Sequence, residues 1–125
     1  MTRRRKDDRG AALVGAAALV GLLVVLALVG GAVADLVAAG QRAAAAADLG
    51  ALAGAPAAQS SETRACTAAA WVVRQNGATL RTCAVVDGDV RLTASARPRS
   101  PWSGWLSRVV GGPVEPVATA HAGLR

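Results

Sequence analysis

The chain has 125 residues and a formal net charge of +6; hydrophobic residues make up 53 %, mostly Ala, Val and Leu, and Phe and Tyr are absent. About 34 residues go into a basic leader and an apolar block, so the remaining ~90 suffice for one small domain with few large core side chains, expected to lean on a staple or on neighbours. The charge pattern argues against nucleic acid as a partner. Arg3, Arg4, Arg5, Lys6 and Arg9 against Asp7 and Asp8 leave +3 before residue 11, and the other nine Arg are spread singly over residues 42–125, with no basic helix and no aromatic interleaving.

In chain order, the leader (residues 1–10) runs into 25 consecutive uncharged residues, 10–34. At 1.5 Å per residue that block is roughly 37 Å long, against ~30 Å of bilayer hydrocarbon, so a tilted transmembrane helix fits. Its Leu/Val centre is "LVGLLVVLALV", residues 19–29. A basic cluster directly before the span places the leader in the cytoplasm and the rest of the chain outside: a single-pass protein of the cell membrane. A second reading is a secretory signal. Ala32-Val33-Ala34 fits the small-x-small pattern of signal peptidase, and cleavage after Ala34 would free a small secreted, disulfide-stapled binding module. Against it, the block exceeds the usual 7–15-residue apolar region, and helix-compatible sequence continues through the cut.

Beyond Asp35 a stripe of Leu36, Ala39, Ala43, Ala47 and Leu52 continues the helix, interrupted by Gln41, Arg42 and Asp48. Gly30-Gly31 is a candidate bend and Pro56 a stop, which predicts one helix over residues 11–55 with its first half in lipid. Its small residues, among them Gly15, Gly21, Gly50 and Gly54, suit close packing against other helices. Gly50–Gly54 is a GxxxG match, and it reads equally as a packing motif or as the by-product of an Ala- and Gly-rich composition.

"DDRGAALVGAAALVGLLVVLALV" followed by "QRAAAAADLGALAGA" resembles the N-terminal region of the small TadE/TadG-like proteins of the tight-adherence pilus system, and most nearly the short actinobacterial TadE-like proteins encoded beside pilus-assembly and secretion genes. Gln41, Arg42, Ala46, Ala47, Asp48, Leu49, Ala51 and Leu52 stand in the family's closing helical segment, and a later Cys pair around a helix–strand unit is also similar. The resemblance covers roughly residues 7–95. It implies a pseudopilin-like or assembly-accessory protein whose helix packs beside those of other pilin-like proteins, or of its own copies in a homo-oligomer, while a small head faces outward. It also implies prepilin-type cleavage between Gly10 and Ala11. The fifth residue after that cut is Gly15, where pilins proper carry Glu, so an assembly accessory fits better than a filament subunit.

The head is expected over residues 56–97. Ser60 or Ser61 caps a helix "ETRACTAAAWVVRQ" that stops at Asn76-Gly77. In "ATLRTCAVVDGDVRLTASA" Leu80, Thr82, Ala84 and Val86 alternate with Arg81, Cys83, Val85 and Asp87. The turn Asp87-Gly88 follows, and then a second alternating run, so a β-hairpin is predicted. Cys66 and Cys83, 17 positions apart on the outer side, are expected to form a disulfide contributing ~3 kcal/mol. In the Pro/Gly-rich tail, residues 98–125, Prolines 98, 101, 113 and 116 make an irregular stretch, and "EPVATAHAGL" suits a third strand. Trp102 and Trp105 read equally as lipid-headgroup anchors or as caps on a core whose other aromatic is Trp71. No phosphate loop, metal-ligand cluster or nucleophile–base set can be assembled, and His121 is the lone His, so neither enzymatic activity nor a cofactor is expected. The fold class is α+β: a long N-terminal helix, then one helix with a hairpin or short antiparallel sheet.

Overall fold

The computed structural model describes residues 2–123 and has the expected α+β architecture. Its elements run α1 (Thr2–Ala58), α2 (Glu62–Gln75), β1 (Thr79–Val86), β2 (Asp89–Ser95), α3 (Ser103–Val110) and β3 (Val117–Ala122). Contacts divide the chain into two compact units, Met1–Val33 and Ala34–Arg125.

In the first unit every Leu and Val from Leu13 to Val33 is exposed, so among the described residues nothing buries this apolar surface. The helix passes through Gly30 and Gly31 without a break. It also runs past Pro56, which sits inside the last turn instead of ending the helix. Pro removes one donor, the partner of the Leu52 carbonyl, and it does so on the exposed side of the helix.

The second unit is built around the Ala-rich half of α1. Its buried face is Ala39, Ala43, Ala46, Ala47, Ala51, Ala55 and Ala58. Leu52, expected on this stripe, is 63 % exposed. Five positions on from Ala47 is about 140° round the helix, whereas Gly50 and Ala51, three and four on, continue the face. The helix meets its neighbours closely enough that only small residues fit. A Cβ on Gly50 would lie 2.7 Å from Val73 Cγ2 and 3.3 Å from Leu92 Cδ2; one on Gly54 would lie 2.8 Å from the Ala65 carbonyl oxygen.

α2 begins where its sequence signals say. Ser61 is the N-cap, its hydroxyl accepting from the Arg64 N–H at 3.3 Å, and Glu62 faces the positive end of the helix dipole. Asn76 closes the helix and Gly77 takes the left-handed conformation, φ 73°, that ends it. Ala65, Ala69 and Val73 are its buried residues.

The sheet is antiparallel in the order β1-β2-β3, so β2 is central. Asp87 and Gly88 both have positive φ, 54° and 83°, the pattern of a two-residue type I′ turn. β1 carries a bulge between Leu80 and Thr82 in which Arg81 is the extra residue. Beyond it the phase changes: Leu80 pairs with Ala94, Cys83 with Leu92 and Val85 with Val90. Cys83 therefore shares a face with Leu80, not with Arg81 as strict alternation predicts. Val90, Leu92 and Ala94 are buried beneath the helices. The core holds no aromatic: its largest fully buried hydrophobic side chains are Leu92, Val73 and Val90, and Trp71 is 57 % exposed. The tail contributes β3, near where a third strand was expected. It also contributes α3, inside a stretch that four prolines suggested was irregular.

Candidate functional site

Three features of this molecule carry surface or chemistry: the bare apolar half of α1, the polar fastenings of the head, and the segment that holds α3. In α1 the residues in line for prepilin-type cleavage, Gly10 and Ala11, are exposed within the helix. Gly15 and Gly21 have nothing from the rest of the chain within 4 Å of a Cβ position. Gly50 and Gly54, by contrast, are occupied within the chain by α2 and β2. The packing motif thus serves a helix–helix and helix–sheet contact inside the head.

Cys66 and Cys83 are joined in a disulfide, with Cα atoms 5.8 Å apart. It staples α2 to β1, and neither thiol remains for nucleophilic or metal chemistry. The bulge at Arg81 aligns the strand for this bond, because it turns Cys83 to the face that α2 covers. His121 lies on β3 opposite Arg91 and is exposed. Among the described residues no three His, Cys, Asp or Glu gather as a metal site would require.

The resembling helical segment splits by face. Ala46, Ala47 and Ala51 are buried in the head, and Arg42 donates from Nη1 to the Arg97 carbonyl at 3.3 Å. Gln41, Asp48, Leu49 and Leu52 face outward. Leu49 stands one turn before Ala53, which with Thr67, Ala68, Trp71 and Val72 lines a shallow, largely apolar groove between α1 and α2.

No family model, curated protein or solved structure matches the chain. The site is therefore read from its own geometry.

On the sheet face away from α1, the fully buried Ser95 hydroxyl accepts from Arg81 Nε at 2.7 Å and donates to Glu115 Oε1. Arg81 Nη2 also reaches Glu115 Oε1, at 2.6 Å, and Arg97 Nε stands 3.6 Å from Oε2. The Ser95 hydroxyl, then Arg81, hold the Glu115 carboxyl below its ordinary range, although partial burial opposes them. The cluster ties the start of β1, the end of β2 and the chain before β3 together. Nothing in the sequence marks it, since Ser95, Arg81 and Glu115 are 14 to 34 positions apart.

Asp35 was legible only as the first charge after the apolar block. In the structure its carboxylate accepts two backbone N–H groups, from Arg99 at 3.2 Å and Ser100 at 2.9 Å. Those bonds hold the segment leading into α3. There Trp102 and Trp105 are 56 % and 63 % exposed, so they do not cap the core.

Proposed function

We propose that the chain is a single-pass membrane component of a pilus or secretion assembly, of the TadE-like kind, that acts by helix packing and not by catalysis. One observation carries the reading. A single helix presents an uncovered apolar surface long enough to cross a membrane through Val33, and its remaining residues, 34–58, complete the core of a disulfide-stapled head. The apolar block and the buried Ala stripe of the head thus belong to one continuous helix.

The basic leader orients the span with its N-terminus in the cytoplasm, and the disulfide suits a head on the oxidising side. Gly15 and Gly21 lie open for close approach by other helices, whether of pilin-like partners or of a second copy. Leu49, Leu52 and Trp71 give the head an apolar face for neighbours in an assembly.

The secreted reading also has an observation in its favour. The compact head unit begins at Ala34, where signal peptidase would cut. The N-terminal residue of the mature protein, determined separately in membrane and soluble fractions, separates the two. Ala11 in the membrane fraction is expected for a pseudopilin, and an intact leader there for an anchored accessory. Asp35 in the soluble fraction overturns the membrane reading.

A further inference from the structure

Both ends of the excursion between β2 and β3 are fastened to the first turns of α1 that follow the apolar block. At its start the Arg97 carbonyl accepts from Arg42, and the Arg99 and Ser100 N–H groups donate to Asp35. At its end Pro116 packs on Gly40, with Pro116 Cβ 3.7 Å from a Cβ position on that glycine. Within the head, the excursion is thus fastened at both ends to residues 35–42 of α1. Asp35 follows that block directly in sequence, so the tether holds the segment leading into α3 beside the first residues after the block.

α3 has the surface such a position calls for. Trp102, Trp105 and Val109, spaced three and four apart, fall on one face, and all three are exposed. Arg99 and Arg108 flank them, also exposed, and the sequence carries no acidic residue between Asp89 and Glu115. Indole rings beside cationic side chains are what the headgroup layer selects, since the ring is apolar with a polar N–H and the guanidinium pairs with lipid phosphate.

We propose that α3 is an interfacial helix that seats Trp102 and Trp105 in the outer headgroup layer of the same bilayer that α1 crosses, so that the head is held against the membrane surface. The occupant of this apolar face is lipid. The proposal rests on the reading of α1 as a membrane span. The distinction from a simple anchor is functional: a head fixed at two points presents one defined face to its neighbours.

The test uses the full chain in phosphatidylcholine–phosphatidylglycerol vesicles containing lipid spin-labelled just below the headgroup. In Trp71→Phe the emission comes from Trp102 and Trp105, and it is expected to fall about twofold on adding the labelled lipid, as for indoles at the interface. In the paired Trp102→Phe/Trp105→Phe chain only Trp71 emits, and its signal is expected to change little. Vesicle flotation run in parallel reports the span. A chain that floats with no preferential quenching of Trp102 and Trp105 overturns the interfacial helix and leaves the membrane span standing. A chain that does not float overturns both. A concentration-dependent blue shift of Trp102 and Trp105 without quenching assigns this face to a second copy and also overturns the proposal.

Discussion

At Gly54 an added methyl would press against the Ala65 carbonyl oxygen at 2.8 Å, a backbone atom that cannot rotate away, and against Val90 Cγ2 at 3.3 Å. A Gly-to-Ala change inside a helix ordinarily gains up to ~1 kcal/mol from backbone entropy and solvation. Overpacking of a tight core costs ~1–3 kcal/mol, so the clash wins. Gly54→Ala is expected to destabilise the head by about 1–2 kcal/mol on these figures. Gly40→Ala provides the opposite sign, because its new Cβ would only touch Pro116 Cβ at 3.7 Å. There the helix-propensity gain of up to ~1 kcal/mol stands unopposed. Thermal unfolding of the two variants beside the parent checks both, and a stabilised Gly54→Ala would mean that α1 sits farther from α2 than described. The residue types along α1 were legible as small, but their partner was not. A GxxxG match states that something comes close; whether that is another chain or the chain's own α2 depends on a fold that the motif does not encode.

Among the elements, those whose signals are local were legible: a cap at Ser60 or Ser61 and the Asn76-Gly77 stop of α2, and the Asp87-Gly88 turn of the hairpin. Each rests on the backbone preference of one or two residues. The bulge, α3 and the Asp35 tether rest on partners far along the chain, and no local propensity announces them. Prolines 98, 101, 113 and 116 flank α3 without entering it, so they bound the helix where the sequence suggested they prevented one. The disulfide links two of these levels, since Cys66 was in place on a legible helix whereas Cys83 reaches it on a strand whose phase the bulge resets. Closing a loop of 17 residues removes chain entropy from the unfolded state worth ~3 kcal/mol. For a domain of this size that corresponds to a fall in Tm of roughly 12–24 °C in Cys83→Ser. Circular dichroism melts of parent and variant read the shift, and vesicle flotation is expected to be unchanged, because the staple lies outside the apolar block. A variant that melts with the parent would show that the bond adds nothing beyond the packing of Val73 on Gly50.

For the molecule as a whole, the decisive arrangement is that the head borrows its central helix from the element that carries the apolar block. Val73, Val90 and Leu92 are fully buried, and Gly50 and Gly54 of α1 lie against all three. Exposing them costs ~1.5–3 kcal/mol each, about 5–9 kcal/mol together. That is comparable with the entire net stability expected of ~90 residues, at ~0.05–0.15 kcal/mol per residue. A chain beginning at Asp35 retains the whole Ala stripe and is expected to unfold cooperatively, whereas one beginning at Gln59 keeps α2, the sheet and the disulfide but lacks their cover. The second is expected to show no cooperative thermal transition and rapid proteolysis. Equal melting of the two fragments would make residues 35–58 dispensable and remove the argument that α1 supplies the head's central helix. The same comparison explains why cleavage after Ala34 and retention of the span are both compatible with a folded head: the cut falls before the first buried residue of the stripe, Ala39. Folding of the head is therefore expected to be indifferent to cleavage at this bond. Under the function proposed above, covalent continuity of α1 at Ala34-Asp35 is what would separate a head fixed to a membrane from one free of it.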